Sequence, residues 1–202
     1  MAHEYVEIAE IKSTLELNGE SFADPDLERA LTAASRGIEK LTRRRFWPDA
    51  DATQVRYYTP AGCHSLRVDD LLTLTTLQTD PGGDGTFEET WTVNTDHVLE
   101  PLNAVADGEP WTKIVVHPNG GYRFPSGYPR SVKVTGKFGW LVAPEEIKQA
   151  TMILATRLMV RARQAPFGVV SFGMEGAAHI ARTDPDVMSL AGPYIRDRIT
   201  VA

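Results

Sequence analysis

A chain of 202 residues, 42% hydrophobic and 24% charged, is long enough for one domain or one domain with a sizeable insertion, and can bury a core. Its formal net charge of −6 and pI near 5.4 argue against a dedicated nucleic-acid binder, which carries a basic domain. The one cysteine, Cys63, excludes an internal disulfide and a cysteine metal cluster, and no run approaches the ~18 apolar residues that span a bilayer.

The N-terminus, MAHEYVEIAEIKS, is polar and acidic and lacks a signal-peptide apolar run, so a soluble protein folding in the cytoplasm is expected. From Glu7 to Leu17, Ile8, Ile11 and Leu15 fall at spacings of three and four, which predicts a short amphipathic helix stopped by Asn18-Gly19. Asp24-Pro25-Asp26 then predicts a helix start: a capping oxygen, a proline at the first helical position and acid in the first turn. Leu27, Leu31, Ala34, Ile38 and Leu41 give that helix one apolar face. Four cations gather at its end, Lys40, Arg43, Arg44 and Arg45, although the chain is acidic. Cations in a last turn offset the partial negative charge of a helix C-terminus, so Arg43, Arg44 and Arg45 are read as helix-end cations rather than a phosphate grip.

From Thr53 to Trp140 short runs alternate apolar and polar residues: Val55/Tyr57, Leu66/Val68, Leu72/Leu74, Trp91/Val93 and Ile114/Val116. Clusters such as Asp80-Pro-Gly-Gly-Asp-Gly and Pro118-Asn-Gly-Gly separate them, which predicts strands of an antiparallel sheet. In SVKVTGKFGW, Val132, Val134, Phe138 and Trp140 share one face and Lys133, Thr135 and Lys137 the other. Ala143-Pro144-Glu145-Glu146 opens another helix, with Ile147, Ala150, Ile153, Leu154 and Leu158 towards the core and Arg157, Arg161 and Arg163 at its end. Past Gln164 the chain is Gly- and Ala-rich without a clean period, until Asp184-Pro185-Asp186 predicts a short helix stopped by Gly192-Pro193.

The expected fold is therefore α+β: a helical bundle core of three main helices plus a short C-terminal helix, with an antiparallel β-rich insertion between the second and third helices. Its expected parts are N-terminal core helices at 1–52, the β-rich insertion at 53–142, a core helix at 143–164 and a C-terminal docking arm at 165–202. The arm's Phe167, Val169, Val170 and Phe172 have no period that places them on one face of an element. Apolar residues on such a segment point to a partner that orders them, with Val187, Met188 and Leu190 burying against it and Tyr194 as anchor.

Catalytic and ligand motifs are weak. DPGGDGTFEET places Asp80, Asp84 and Gly85 as in a calcium loop, but Gly82 and Trp91 occupy the positions that need oxygen ligands, and a hairpin turn explains the glycines better. His3, His64, His97, His117 and His179 are scattered without ligand spacing. Cys63-His64 reads as a poor nucleophile–base pair, because neighbours on a strand face opposite ways. No nucleophile elbow, phosphate-binding loop or zinc-protease motif is present, so no enzyme, metal or cofactor is expected. Lys113, Arg123, Arg130, Lys133 and Lys137 read as a solvated face. A second reading is a carbohydrate- or calcium-binding β module attached to helices, using Trp91, Trp111 and Trp140 as stacking platforms and Asp80/Asp84 as ligands. A metal-dependent hydrolase built from His64, His97 and His117 ranks lowest.

YVEIAEIKSTLEL, DPDLERALTAASRGIEKLTRRRFWP, VKVTGKFGW, VAPEEIKQA, RARQAPFGV and DPDVMSLAGPY together resemble the head–tail connector, or adaptor, proteins of long-tailed double-stranded DNA bacteriophages. The β-rich insertion is similar to the version found in phages of actinobacteria. In that family a Thr-Gly-Arg-x-Phe-like sequence ends the corresponding helix, and Arg43 stands here where glycine is usual. The resemblance implies a non-enzymatic virion protein at the head–tail interface, made in the host cytoplasm. It implies a homo-oligomeric ring, typically of twelve subunits, that binds the portal protein, receives a stopper or tail-completion protein, and lets DNA pass without sequence-specific binding. The docking arm would then meet a neighbouring subunit or the portal.

Overall fold

The computed structural model describes residues 3–17, 22–51, 53–164 and 184–196. They form two compact units: a helical unit of residues 3–44, 143–164 and 184–196, and a sheet unit, Arg45–Val142.

In the helical unit, α1 (Ile8–Leu17) buries Ile11 and Leu15, and α2 (Asp24–Thr42) buries Leu27, Ala30, Leu31, Ala34, Ser35 and Ile38. Pro25 sits in the first turn of α2 as expected, but the residue before the helix is Ala23, which caps with no side chain; Asp24 pairs with Lys12 at 2.5 Å. The sheet unit follows, and α4 (Glu145–Gln164) then packs against α2. Its buried stripe is Ile147, Ala150, Thr151, Ala155 and Met159, so the expected Ile153, Leu154 and Leu158 lie on its flanks, half-buried. The short α5 (Pro185–Ala191) packs on α4 and starts as its sequence dictates, with the Asp184 carboxylate accepting the N–H groups of Asp186 and Val187.

The sheet unit contains β1 (Gln54–Tyr58), β2 (Ser65–Thr79), β3 (Glu89–Trp91), β4 (His97–Glu100), the one-turn α3 (Ala104–Asp107), β5 (Trp111–Val116) and β6 (Val132–Phe138). The strands form one six-stranded antiparallel sheet in the order β1-β6-β2-β5-β4, with β3 also paired to β2. Leu66, Val68, Leu71, Leu77, Trp91, Ile114, Val116, Phe124, Val132, Val134 and Phe138 make its core.

This corrects the expected helical-bundle core of three main helices with strands as an insertion. The described residues hold five α-helices, and the six-stranded sheet is a principal body with its own core. The bulkiest fully buried side chains, Phe46, Phe124 and Phe138, belong to it. The physical reason lies in β2, which along its fifteen residues pairs with β5, β6 and β3 and so holds the other strands together. The expected separate runs at Leu66/Val68 and Leu72/Leu74 are one strand. Two register shifts against β6 change which side chains face inward, so Leu71 is buried and Leu72 and Leu74 are half-buried.

The α2 terminus also differs in detail. The helix stops at Thr42, only Lys40 lies in its last turn, and Arg43 ends it in the left-handed region at φ 57°, its N–H bonded to Glu39 O at 2.7 Å. A left-handed conformation costs a non-glycine residue about 1–2 kcal/mol. The Arg43 guanidinium offers only an exposed 3.4 Å bond to Arg196 O in return. Arg43→Gly should therefore raise stability by about 1 kcal/mol, read as a higher melting temperature.

Candidate functional site

The expected docking residues fall into two groups. Phe167, Val169, Val170 and Phe172 lie outside the described residues. Val187 is buried at 4% exposure within the helical unit, and Met188, Leu190 and Tyr194 are half-buried there. Tyr194 donates its hydroxyl to Glu146 at 3.1 Å, and Arg157 pairs with both Asp184 and Asp186. These contacts fix α5 and the turn after it onto the helix that precedes the 165–183 segment.

The helix-end cations are separately engaged. Arg43 caps α2. The half-buried Arg44 donates its backbone N–H to Thr42 Oγ1 at 3.4 Å. Arg45 pairs with the buried Asp49 at 3.2 Å and lies 5.8 Å from the centre of the Trp47 ring. Asp49 in turn belongs to a part-buried polar network beside β1 and β2. Arg56 donates to Asp49 at 2.6 Å and to Asp69 at 2.8 Å, with its guanidinium 3.9 Å above the Phe138 ring. Asp69 also accepts the Tyr58 hydroxyl at 3.1 Å, and burial, aided by the Asp69 charge, pushes the Tyr58 phenol well up.

Most of the cations read as a solvated face have partners of their own. Lys113 pairs with Glu100, Arg123 donates to Gly120 O and Tyr122 O, Arg130 lies over Tyr57 and Lys133 over Phe87.

The Asp80 loop is a turn that binds itself. Both Asp80 oxygens accept backbone N–H groups, from Gly83 at 2.6 Å and Gly85 at 2.8 Å, and Asp84 accepts from Thr86. Among the described residues no three His, Cys, Asp or Glu side chains gather as a metal site. Trp91 and Trp140 are core residues at 4% exposure each, with indole N–H groups bonded to Thr79 and Asp70, so neither is a stacking platform. The expectation for Cys63 and His64 needs correcting: they precede β2 in a turn, where strand alternation does not apply, and Cys63 Sγ lies 3.1 Å from His64 Nδ1.

Sequence reasoning missed His97 and the cavity beside it. His97 is 1% exposed, and neither ring nitrogen has a hydrogen-bond partner among the described residues. It lines a cavity of about 330 Å³ with Trp91, Trp111, Val93, Leu99 and the Thr73–Leu77 stretch of β2. Only strand pairing brings these residues together, so no spacing in the sequence signals them. Burial pushes the His97 pKa below 6.5, against the smaller opposing pull of Asp96. The unfolded chain thus takes up a proton near pH 6.5 while the folded chain does not. Stability is complete above that pH and falls as the pH drops towards the folded pKa. In thermal melts between pH 7 and pH 5, His97→Gln should show a smaller acid-side loss than the parent.

No family model and no curated protein matches the chain. Solved structures do. A chain in the neck of a native gene transfer agent (GTA) particle, computed with C12 symmetry, matches at TM-score 0.50 and 19% identity, over 98% of this chain and 97% of its own. One in the neck of the empty GTA particle, computed with C6 symmetry, matches at TM-score 0.52 and 19% identity, over 96% and 91%. Another, from the virion of the native particle, matches at TM-score 0.52 and 18% identity over the same shares. The likeness is one of fold, and it spans both the helical and the sheet unit.

Proposed function

We propose that this chain is a non-enzymatic structural protein of a phage-like virion, acting as a ring-shaped adaptor between the portal of the head and the tail or stopper and extending the DNA channel. The observation that carries the reading is the full-length fold likeness to neck chains, 96–98% of this chain, in assemblies computed with C12 and C6 symmetry. It agrees with the resemblance to head–tail connectors, in the actinobacteriophage-like version with a β-rich insertion. The chemistry also supports it: the Asp80 turn, the buried tryptophans and the paired cations are structural, and the negative balance suits a wall past which DNA must slide, since dense cations would hold phosphates. The ring is a homo-oligomer, with the portal on one side and a stopper or tail-completion protein on the other. The chain works in the virion and meets its partners in the host cytoplasm during assembly.

Electron microscopy of the protein mixed with its cognate portal protein tests this. The expected class averages show a twelvefold ring added to the portal's tail side, and duplex DNA affinity at physiological salt is negligible. A portal that stays bare, or a protein that binds DNA tightly with a steep salt dependence, would overturn the reading.

A further inference from the structure

The cavity beside His97 is a gap in the sheet. On one side β2 pairs with β6 from Leu71 to Thr79. On the other side β5 pairs with β2 only as far as Leu71, opposite Trp111, and β3 begins only at Leu77, opposite Trp91. Because Leu77 to Thr79 pair with β6 and β3 at once, β3 must lie on the β5 side. The residues between, Leu72 to Thr76, therefore have no strand partner there among the described residues, and no turn or loop backbone bond reaches them. A stretch of β2 on the order of 17 Å is left open, with a strand-end tryptophan at each limit. Next to it lies the buried His97 imidazole with a donor and an acceptor unmet. Leaving such groups without a partner costs about 1–3 kcal/mol each.

We infer that this slot takes an extended segment of a second copy of the chain, residues 167–172 (Phe-Gly-Val-Val-Ser-Phe), as an added strand on the open edge of β2. The inference rests on the ring reading above and names one of its subunit contacts. Three observations point to this occupant. No residue lining the slot is charged, and the chain carries no charge from Gln164 to Met174, whereas a charged segment would lose its hydration there. The segment is rich in β-branched and aromatic residues, and five of its six residues are enough to span the gap. Its ends are held in the helical unit, at Gln164 and Asp184, with 165–183 between them, and a chain of that length extended out and back reaches about 30 Å from the helices. Main-chain hydrogen bonds to Leu72–Thr76 supply affinity, and an apolar side chain between Trp91 and Trp111 supplies selectivity.

The test uses the full chain and a labelled peptide of residues 165–174 carrying a solubilising tail. Titration should give saturable binding, followed by anisotropy and by a change in the His97 resonances of ¹⁵N-histidine-labelled protein. Two exposed lining positions are altered in opposite senses, Val93→Glu and Thr75→Lys, and each should weaken binding at least tenfold while leaving the melting transition cooperative. Full-length Val93→Glu and Val170→Asp should each fail to self-associate, whereas an equal mixture should pair, because one retains the segment and the other the slot. No saturable binding of the peptide by the parent, or equal binding by both slot variants, overturns the inference. Rings formed normally by both Val93→Glu and Val170→Asp would also overturn it while leaving the ring reading intact; a parent that never forms rings, even on the portal, instead removes the reading on which it rests.

Discussion

Gly139→Ala should destabilise the protein by on the order of 3–5 kcal/mol, the larger part of a typical domain's margin. Gly139 follows β6 at φ +107°, a region that side chains rarely adopt, and that alone costs about 1–3 kcal/mol. A β-carbon there would stand 2.1 Å from Trp47 O and 3.1 Å from Pro48 Cα. Both neighbours are backbone, so they cannot swing aside as a side chain would. Urea unfolding should show a lower midpoint with an unchanged slope. Gly62→Ala is the control: no atom lies within 4 Å of its added carbon, and its stability should stay within about 1 kcal/mol of the parent. A mild effect at Gly139 would mean that the close approach of Trp47 to the end of β6 is wrong.

Arg56→Ala should cost roughly 2–4 kcal/mol, because it removes the cation from a part-buried network and leaves the buried Asp49 short of a partner. Asp49 has a side-chain exposure of 6% and would keep only Arg45, which is half exposed at 51%. Asp69 and the Tyr58 hydroxyl would lose the cation that balances them, and Phe138 the guanidinium over its face. Arg56→Met restores the aliphatic volume without the charge. If it recovers less than half of the loss, the missing charge rather than the missing packing dominates. Full recovery would show the network to be spectator polarity.

Which parts were legible depended on whether local chemistry or distant pairing decided them. The starts of α2 and α5 follow from Pro25, Asp184 and Pro185, since proline and capping carboxylates act within one turn. The face of α2 follows from Leu27, Leu31, Ala34 and Ile38, all buried, whereas the expected Leu41 is only half-buried and Thr42 is buried beside it. The standing of the sheet was misjudged because β2 is a strand of alternating texture interrupted by bulges, which read as several short strands of an appendage. Of the cation cluster expected in the last turn of α2 only Lys40 lies there, and Arg43 occupies a glycine-like conformation that no periodicity reports. Asp49 and Asp70 are buried because an arginine and a tryptophan from other elements hold them, whereas Asp80 and Asp96 are buried against backbone N–H groups of their own turns. His97 and the slot depend on where β5 ends and β3 begins.

The places where the chain enters and leaves the sheet unit are fastened together: Asp49 N–H bonds Phe138 O at 2.8 Å, Trp140 N–H bonds Trp47 O at 3.4 Å, and the Phe46 and Trp140 rings lie 5.3 Å apart. This sets the order of assembly. Helices α2 and α4 pack together yet are separated by about a hundred residues, and closing so long a disordered loop is entropically unfavourable and slow. Once the sheet has formed, the same two helices are joined by a tether only a few residues long, and their encounter becomes a local event. This predicts that the sheet folds as the earlier unit, and lesions such as Gly139→Ala should then slow the formation of helices that they do not touch, read as helical circular dichroism regained during refolding.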